Sequence, residues 1–106
     1  MQINSYQDAA LETAQYTDSI IYPALGLTGE AGEVADKVKK VLRDNDGEFS
    51  DERKADIAKE LGDVLWYVAN MANDLGYTLE EIAQMNINKL RSRARRGVLG
   101  GSGDNR

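Results

Sequence analysis

Two short segments of the 106-residue chain echo each other: Glu30-Ala31-Gly32-Glu33-Val34 and Glu60-Leu61-Gly62-Asp63-Val64, each running acid, any residue, glycine, acid, valine. On a helix, a spacing of three sets Glu30 beside Glu33 and Glu60 beside Asp63. If two such helices pack antiparallel, all four carboxylates converge. Left alone they repel, by about 0.2–0.5 kcal/mol per exposed pair and more when partly buried, unless a cation neutralises them. Acids on a helix surface are usually solvated or paired. Lys37 stands four residues after Glu33, and Lys59 four before Asp63. Glu30, however, is followed at that distance by Val34, Glu60 by Val64 and Asp63 by Tyr67, which points these acids toward the bundle. Gly32 and Gly62 each cost about 1 kcal/mol relative to alanine inside a helix, which makes sense where neighbouring backbone or a ligand comes close. With neither histidine nor cysteine in the chain, hard oxygen donors favour magnesium or manganese over zinc or copper, and magnesium commonly serves substrate phosphates. A phosphoanhydride substrate follows, with one carboxylate accepting the proton of an attacking water.

The rest of the composition narrows the field. The absence of histidine removes a histidine base, a Ser-His-Asp triad and histidine-held zinc, and the absence of cysteine removes disulfides and thiolate metal sites. No run approaches the ~20 apolar residues of a membrane span. The opening MQINSYQDAALETAQY lacks the basic start and apolar stretch of a secretory signal, so a cytoplasmic location is expected. The net charge of −5 is uneven: residues 1–88 hold seven basic and seventeen acidic side chains, residues 89–106 six basic and one acidic. An acidic body with a basic tail does not suit nucleic acid, but it suits a small polyanion held by metal on the acids and by cations from the tail.

The elements that must position these groups read as helices throughout. A first helix is expected over roughly 5–17, capped by Asn4 or Ser5, with Tyr6, Ala9, Ala10 and Ala14 inward. Pro23 suits the first turn of a second helix ending near Arg43. After the turn DNDGEF, Ser50 or Asp51 caps a third helix over about 51–75, whose stripe of Ile57, Leu61, Val64, Leu65, Val68 and Leu75 makes it central. Gly76 fits its C-terminal cap. Thr78 with Glu81 reads as a capping box for a fourth helix to about Arg95, with Leu79, Ile82, Ala83, Ile87 and Leu90 inward. One all-α domain over 1–106, a small four-helix bundle, results. The glycine-rich 97–106 reads as a floppy tail before a phosphate-binding loop. Asn86, Lys89 and Arg93 share one stripe of the fourth helix, fit for a triphosphate or for a solvated basic helix end. Asn70, seven residues after Asp63, falls on its face and so can reach sugar or phosphates. Trp66 and Tyr67 read as core or subunit interface in preference to a base-stacking pair.

The ordered pair Glu30-x2-Glu33, 26 intervening residues, Glu60-x2-Asp63, set in ELGDVLWYVANMANDLG, resembles the MazG-like branch of the all-α nucleoside triphosphate pyrophosphohydrolases. The likeness runs from GLTGEAGEVADKVKK through NINKLRSRARRG to GSGDNR. It implies hydrolysis of nucleoside triphosphates, deoxy or noncanonical ones among them, between the α and β phosphates, yielding monophosphate and pyrophosphate. It implies magnesium on Glu30, Glu33, Glu60 and Asp63, with Glu33 or Glu30 as the base. Lys89 and Arg93 match the family's lysine and arginine, and Asp104, Asn105 and Arg106 its C-terminal phosphate-contacting segment. Homodimers, or dimers of dimers, whose sites borrow groups from a neighbour are implied as well. The competing readings are a noncatalytic helical interaction module and a nucleotide sensor that binds without turnover.

Overall fold

The computed structural model describes residues 1–105. They form four helices, α1 (Ile3–Glu12), α2 (Ile21–Asp44), α3 (Asp51–Asp74) and α4 (Leu79–Arg96), with no strand among the described residues. The all-α expectation holds, and so do three helix ends set by local chemistry. Ser50 Oγ accepts from the Arg53 amide, and Asp51 and Glu52 fill the first turn, where the helix dipole favours negative charge. At the other end Gly76 adopts φ 84°, allowing the Tyr77 amide to reach Ala72 O and the Gly76 amide to reach Asn73 O, both at 2.9 Å. That pair of bonds satisfies carbonyls the helix would otherwise leave open. Thr78 and Glu81 form the expected reciprocal capping box.

α1 differs from expectation. It begins at Ile3 after an uncapped Gln2 and stops at Glu12, and neither Asn4 nor Ser5 caps it. Asn4 instead serves another helix: its Oδ1 accepts from the Glu80 amide at 3.0 Å. Gln7 does more. Buried, it donates through Nε2 to Ala69 O at 3.2 Å and Tyr77 O at 3.1 Å, and through Oε1 it accepts from the Leu79 amide at 2.9 Å. One amide side chain thereby fixes α1, the end of α3 and the start of α4 together.

α2 and α3 pack antiparallel as the principal pair, α1 lies on α3 and α4, and α4 touches α1 and α3. Among the described residues α2 contacts no helix except α3, so the four-helix arrangement is open on one side. Close approach of the pair depends on Gly26, where a Cβ would overlap the Tyr67 ring. Gly32 and Gly62 have open space around the same point, so the close approach expected there is not a contact within this chain.

The enclosed core is small. Ala10, Ala69, Ala72 and Leu79 form it, flanked by Tyr6, Trp66, Val68 and Ile82. Several residues expected inward are exposed, namely Ala9, Leu61, Leu65, Leu75, Ala83, Ile87 and Leu90. Periodicity identified apolar faces, but within the single chain these residues find no surface that covers them. The radius of gyration, 16.6 Å, exceeds the ~13 Å of a compact chain of this length.

The glycine-rich tail is also corrected. Gly97 ends α4 at φ 72°, the Val98 amide returns to Arg93 O at 2.9 Å, and residues beyond fold back onto α4 instead of trailing away. No helix among the described residues is long and apolar enough to cross a membrane.

Candidate functional site

Helix α2 presents Glu30, and the facing stretch of α3 presents Glu60 and Asp63. One carboxylate oxygen from each lies within 4.8 Å of the others, with Glu30 and Glu60 half-buried and Asp63 exposed. No lysine or arginine among the described residues pairs with any of the three. Burial, then the charges of Asp63, Glu60 and Glu33, and a hydrogen bond shared with Glu60 push the Glu30 carboxyl above its ordinary value. Glu33 is exposed and stands outside this group of three, although its charge reaches Glu30. The Glu33–Lys37 and Asp63–Lys59 pairings that spacing permits are not formed, whereas Asp36 takes Lys39 and Lys40. Three hard oxygen donors without a counter-cation, on two rigid helices, fit a divalent cation of the magnesium type.

The acids open into a cleft of about 300 Å3 lined by Glu30, Asp63, Trp66 and Tyr67. Trp66 and Tyr67, expected in core or interface, therefore form a wall of the acidic cleft. They meet edge-on at 5.0 Å, and Tyr22 approaches Tyr67 at 6.2 Å. Asn70 moves the opposite way. Expected on the ligand-facing side, it is fully buried at 0% exposure, its Nδ2 donating to Trp66 O at 3.1 Å and its Oδ1 without a partner. A seven-residue step falls only about 20° short of two helical turns, so Asn70 stands on the same side of α3 two turns beyond Asp63, where the helix is covered.

The basic stripe of α4 is partly assembled. Lys89 Nζ and Arg93 Nη2 approach Asp104 Oδ1 at 3.1 and 3.4 Å, and Arg93 also donates to Gly103 O and Asp104 O at 3.3 and 2.8 Å. Arg93 is only 4% exposed, and its Nε has no partner. Its first role is thus to staple the tail, with Asp104 held low in its titration by the Lys89 and Arg93 hydrogen bonds. Asn86 and Asn105 are exposed, and their side chains make no hydrogen bond among the described residues. Arg106 lies outside the described residues. Since α4 does not pack on α2, the stripe and the acidic cleft stand on separate helices of the chain.

Sequence reasoning missed Gly26, the aromatic group around Trp66, and Asp74, which ties down the α1–α2 segment. Each depends on a residue far away along the chain. The only local signal was the pair of tyrosines at positions 16 and 22.

Comparison with known proteins adds two findings. Residues 22–98 match the family model described as the MazG nucleotide pyrophosphohydrolase domain. The chain is also 50% identical over 114 residues to the "Gene 37 protein" of Mycobacterium phage L5, the alignment covering 100% of both. No solved structure matches the chain.

Proposed function

This chain belongs to the MazG nucleotide pyrophosphohydrolase family, and we propose that it hydrolyses nucleoside triphosphates at the α–β bond to the monophosphate and pyrophosphate. Deoxynucleotides or noncanonical nucleotides are the proposed substrates, and control of the nucleotide pool is the role. The observation that carries this reading is the convergence of Glu30, Glu60 and Asp63 with no cation to pair them, on the segment the family match covers.

Glu30, Glu60 and Asp63, with Glu33 one turn away, would hold magnesium or manganese. When bound, such an ion offsets negative charge on the phosphates and acidifies water. The chain's residues do the rest. The Glu30 carboxyl, raised above its ordinary value by burial and by its acidic neighbours, is the proposed proton acceptor for an attacking water, with Glu33 the alternative. Trp66 and Tyr67 exclude bulk water from one side of the cleft, which strengthens electrostatic interactions inside it. Lys89, with Arg93 behind it, supplies positive charge for the outer phosphates, and Asn86, Asp104, Asn105 and Arg106 belong to the same phosphate-side group. Asn70, buried, donates back to the Trp66 backbone carbonyl one helical turn earlier and is left out of the substrate contacts.

The working unit is a homodimer or a dimer of dimers. Leu25, 70% exposed, and Leu61, 54% exposed, lie on the α2–α3 pair that carries the acids, and an extended protomer with a thin core needs a partner to bury them. A cytoplasmic enzyme acting on free nucleotides, with neither membrane nor nucleic acid as partner, completes the proposal.

The test is product analysis by chromatography on a panel of ribo-, deoxyribo- and modified triphosphates with magnesium. Monophosphate and pyrophosphate, absent with Glu60→Gln, are expected. No turnover of any triphosphate, or equal turnover by the variant, contradicts the proposal and favours the sensor or interaction-module reading.

A further inference from the structure

Helices α2 and α3 contain four glycines, and three of them, Gly29, Gly32 and Gly62, have nothing in the space a Cβ would take. Gly26 is the exception. A Cβ there would overlap Cε1 and Cζ of Tyr67 and come within 2.7 Å of its Cδ1, so bare backbone of α2 rests against an aromatic ring of α3. The ring is flanked in turn: Trp66 meets it edge-on at 5.0 Å, Tyr22 stands at 6.2 Å, and Trp66 Nε1 donates to Thr13 Oγ1 at 2.7 Å.

The place of this contact matters. Gly26 is four residues before Glu30 and Tyr67 four after Asp63, so in an antiparallel pair it lies one turn from the acids, on the same face. A further turn away, Pro23 and Asn70 are fully buried. The seam between the helices is therefore closed up to Gly26 and Tyr67 and opens at the acids. Val41, the other fully buried side chain of α2, is about 16 Å from Glu30 along the helix axis, against about 6 Å for Gly26. The layer that governs helix separation at the acidic group is the Gly26–Tyr67 layer.

We propose that the Gly26–Tyr67 contact sets the distance of Glu30 from Glu60 and Asp63, and thereby the preference of this group for a small divalent cation of magnesium's size over a larger one such as calcium; this rests on the reading of the three acids as a cation site. Glu60 and Asp63 share one helix, which fixes their mutual spacing, whereas Glu30 comes from the other, so helix separation is the variable. Magnesium requires near-octahedral oxygens at about 2.0–2.1 Å, and calcium accepts a looser set at about 2.3–2.6 Å. Bringing a Cβ at residue 26 into ordinary contact requires a displacement on the order of 1 Å, more than that difference. Gly26 and Tyr67 are positioning residues, acting through the helices.

The full chain is titrated calorimetrically with magnesium and with calcium, without nucleotide, and triphosphate turnover is measured on the same proteins. Gly26→Ala should weaken magnesium binding about ten-fold or more and calcium binding much less. Gly29→Ala, the same exchange into open space beside Glu30, should leave the magnesium-to-calcium ratio within about two-fold. Tyr67→Phe keeps the ring and should keep the ratio, whereas Tyr67→Leu, a smaller spacer, should move it in the direction opposite to Gly26→Ala. Far-UV spectra identify the folded variants. A merely structural contact would lower the melting temperature and leave the ratio alone. A ratio unchanged in every folded variant at Gly26 and Tyr67, or changed equally by Gly29→Ala, overturns the inference, and absence of cation binding by wild type overturns it together with the metal reading. A ratio that shifts as described without any triphosphate hydrolysis refutes the hydrolase reading and leaves the spacer standing; hydrolysis with a ratio indifferent to both residues does the reverse.

Discussion

Two carboxylates six residues apart on α2 live in opposite surroundings. Asp36 is gripped by Lys40 at 2.8 Å and Lys39 at 2.9 Å, whose hydrogen bonds lower its carboxyl to about 2. Glu30 faces burial and three other acids, which raise its carboxyl. The same helix, with lysines in supply at 37, 39 and 40, leaves one acid group unpaired. Acids on a helix surface are usually solvated or paired. Glu30 is neither fully solvated nor paired: it is half-buried beside Glu60 and Asp63 of the facing helix, at a cleft to which α2 and α3 both contribute acids, and there the proposed cation would bind.

The largest break of this contrast comes from exchanging one acid in each setting. Glu60→Gln should lower turnover by at least about a hundred-fold, since it removes a direct ligand and even outer-shell changes cost ten- to a hundred-fold. It should also raise the melting temperature of the metal-free protein, because it relieves repulsion. Asp36→Asn should leave turnover within about two-fold and lower the melting temperature slightly, the usual fate of an exposed pair. Thermal melts and steady-state rates on both variants check this.

The contrast can be sharpened by giving Glu30 what Asp36 already has. Val34→Lys places a cation four residues after Glu30, in the favourable orientation for a helical pair. Magnesium affinity, read by calorimetry, should fall about ten-fold, while the far-UV spectrum stays helical.

Acid titration separates the two settings by sign. Glu30 has a raised folded value, so its contribution to stability is present at low pH and is lost as pH rises through that value. Asp36 has a depressed one, so its contribution is present above the ordinary value near 3.8 and lost as pH falls through about 2. Metal-free wild type should therefore gain stability when first acidified from neutral pH, then lose it toward pH 2. Glu30→Gln should lack the first phase, as should wild type with magnesium.

The smallest effect is expected at the tail. If Lys89 binds phosphate as proposed, the Asp104 carboxylate paired to it competes, so Asp104→Asn should lower KM for a triphosphate about two- to five-fold, in the range of an exposed pair, with kcat little changed. A rise in KM would instead mean that Asp104 orients Lys89 for the substrate.

What the sequence disclosed was what neighbours along the chain decide. The Thr78–Glu81 box, the Ser50 cap, the Gly76 end and the paired acid echo all depend on residues within a few positions, and spacing alone brought Glu30, Glu60 and Asp63 to facing helices. Groups joined across the fold were illegible. Gln7 reads as an ordinary polar residue of a helix surface, yet it is buried between partners 62 to 72 residues away. Asn4 looks like a cap for its own helix and caps another. Gly26 is one of ten glycines, and only the Tyr67 ring distinguishes it. Among the leucines, periodicity showed which face is apolar without showing that the chain's own helices leave Leu61 and Leu65 uncovered. The tail was misread because glycine content signals permissive backbone, whereas its folding back depends on the buried Arg93.

The central claim is that Glu30, Glu60 and Asp63 hold the ion that hydrolysis requires. The most direct measurement is a magnesium titration of wild type, Asp36→Asn and Glu60→Gln, following melting temperature and triphosphate turnover in the same samples. Magnesium should stabilise wild type and Asp36→Asn by about 2.7 kcal/mol at a hundred times its dissociation constant, activate both over that concentration range, and do neither to Glu60→Gln. Equal stabilisation of all three proteins, or turnover that survives in Glu60→Gln, would contradict the account.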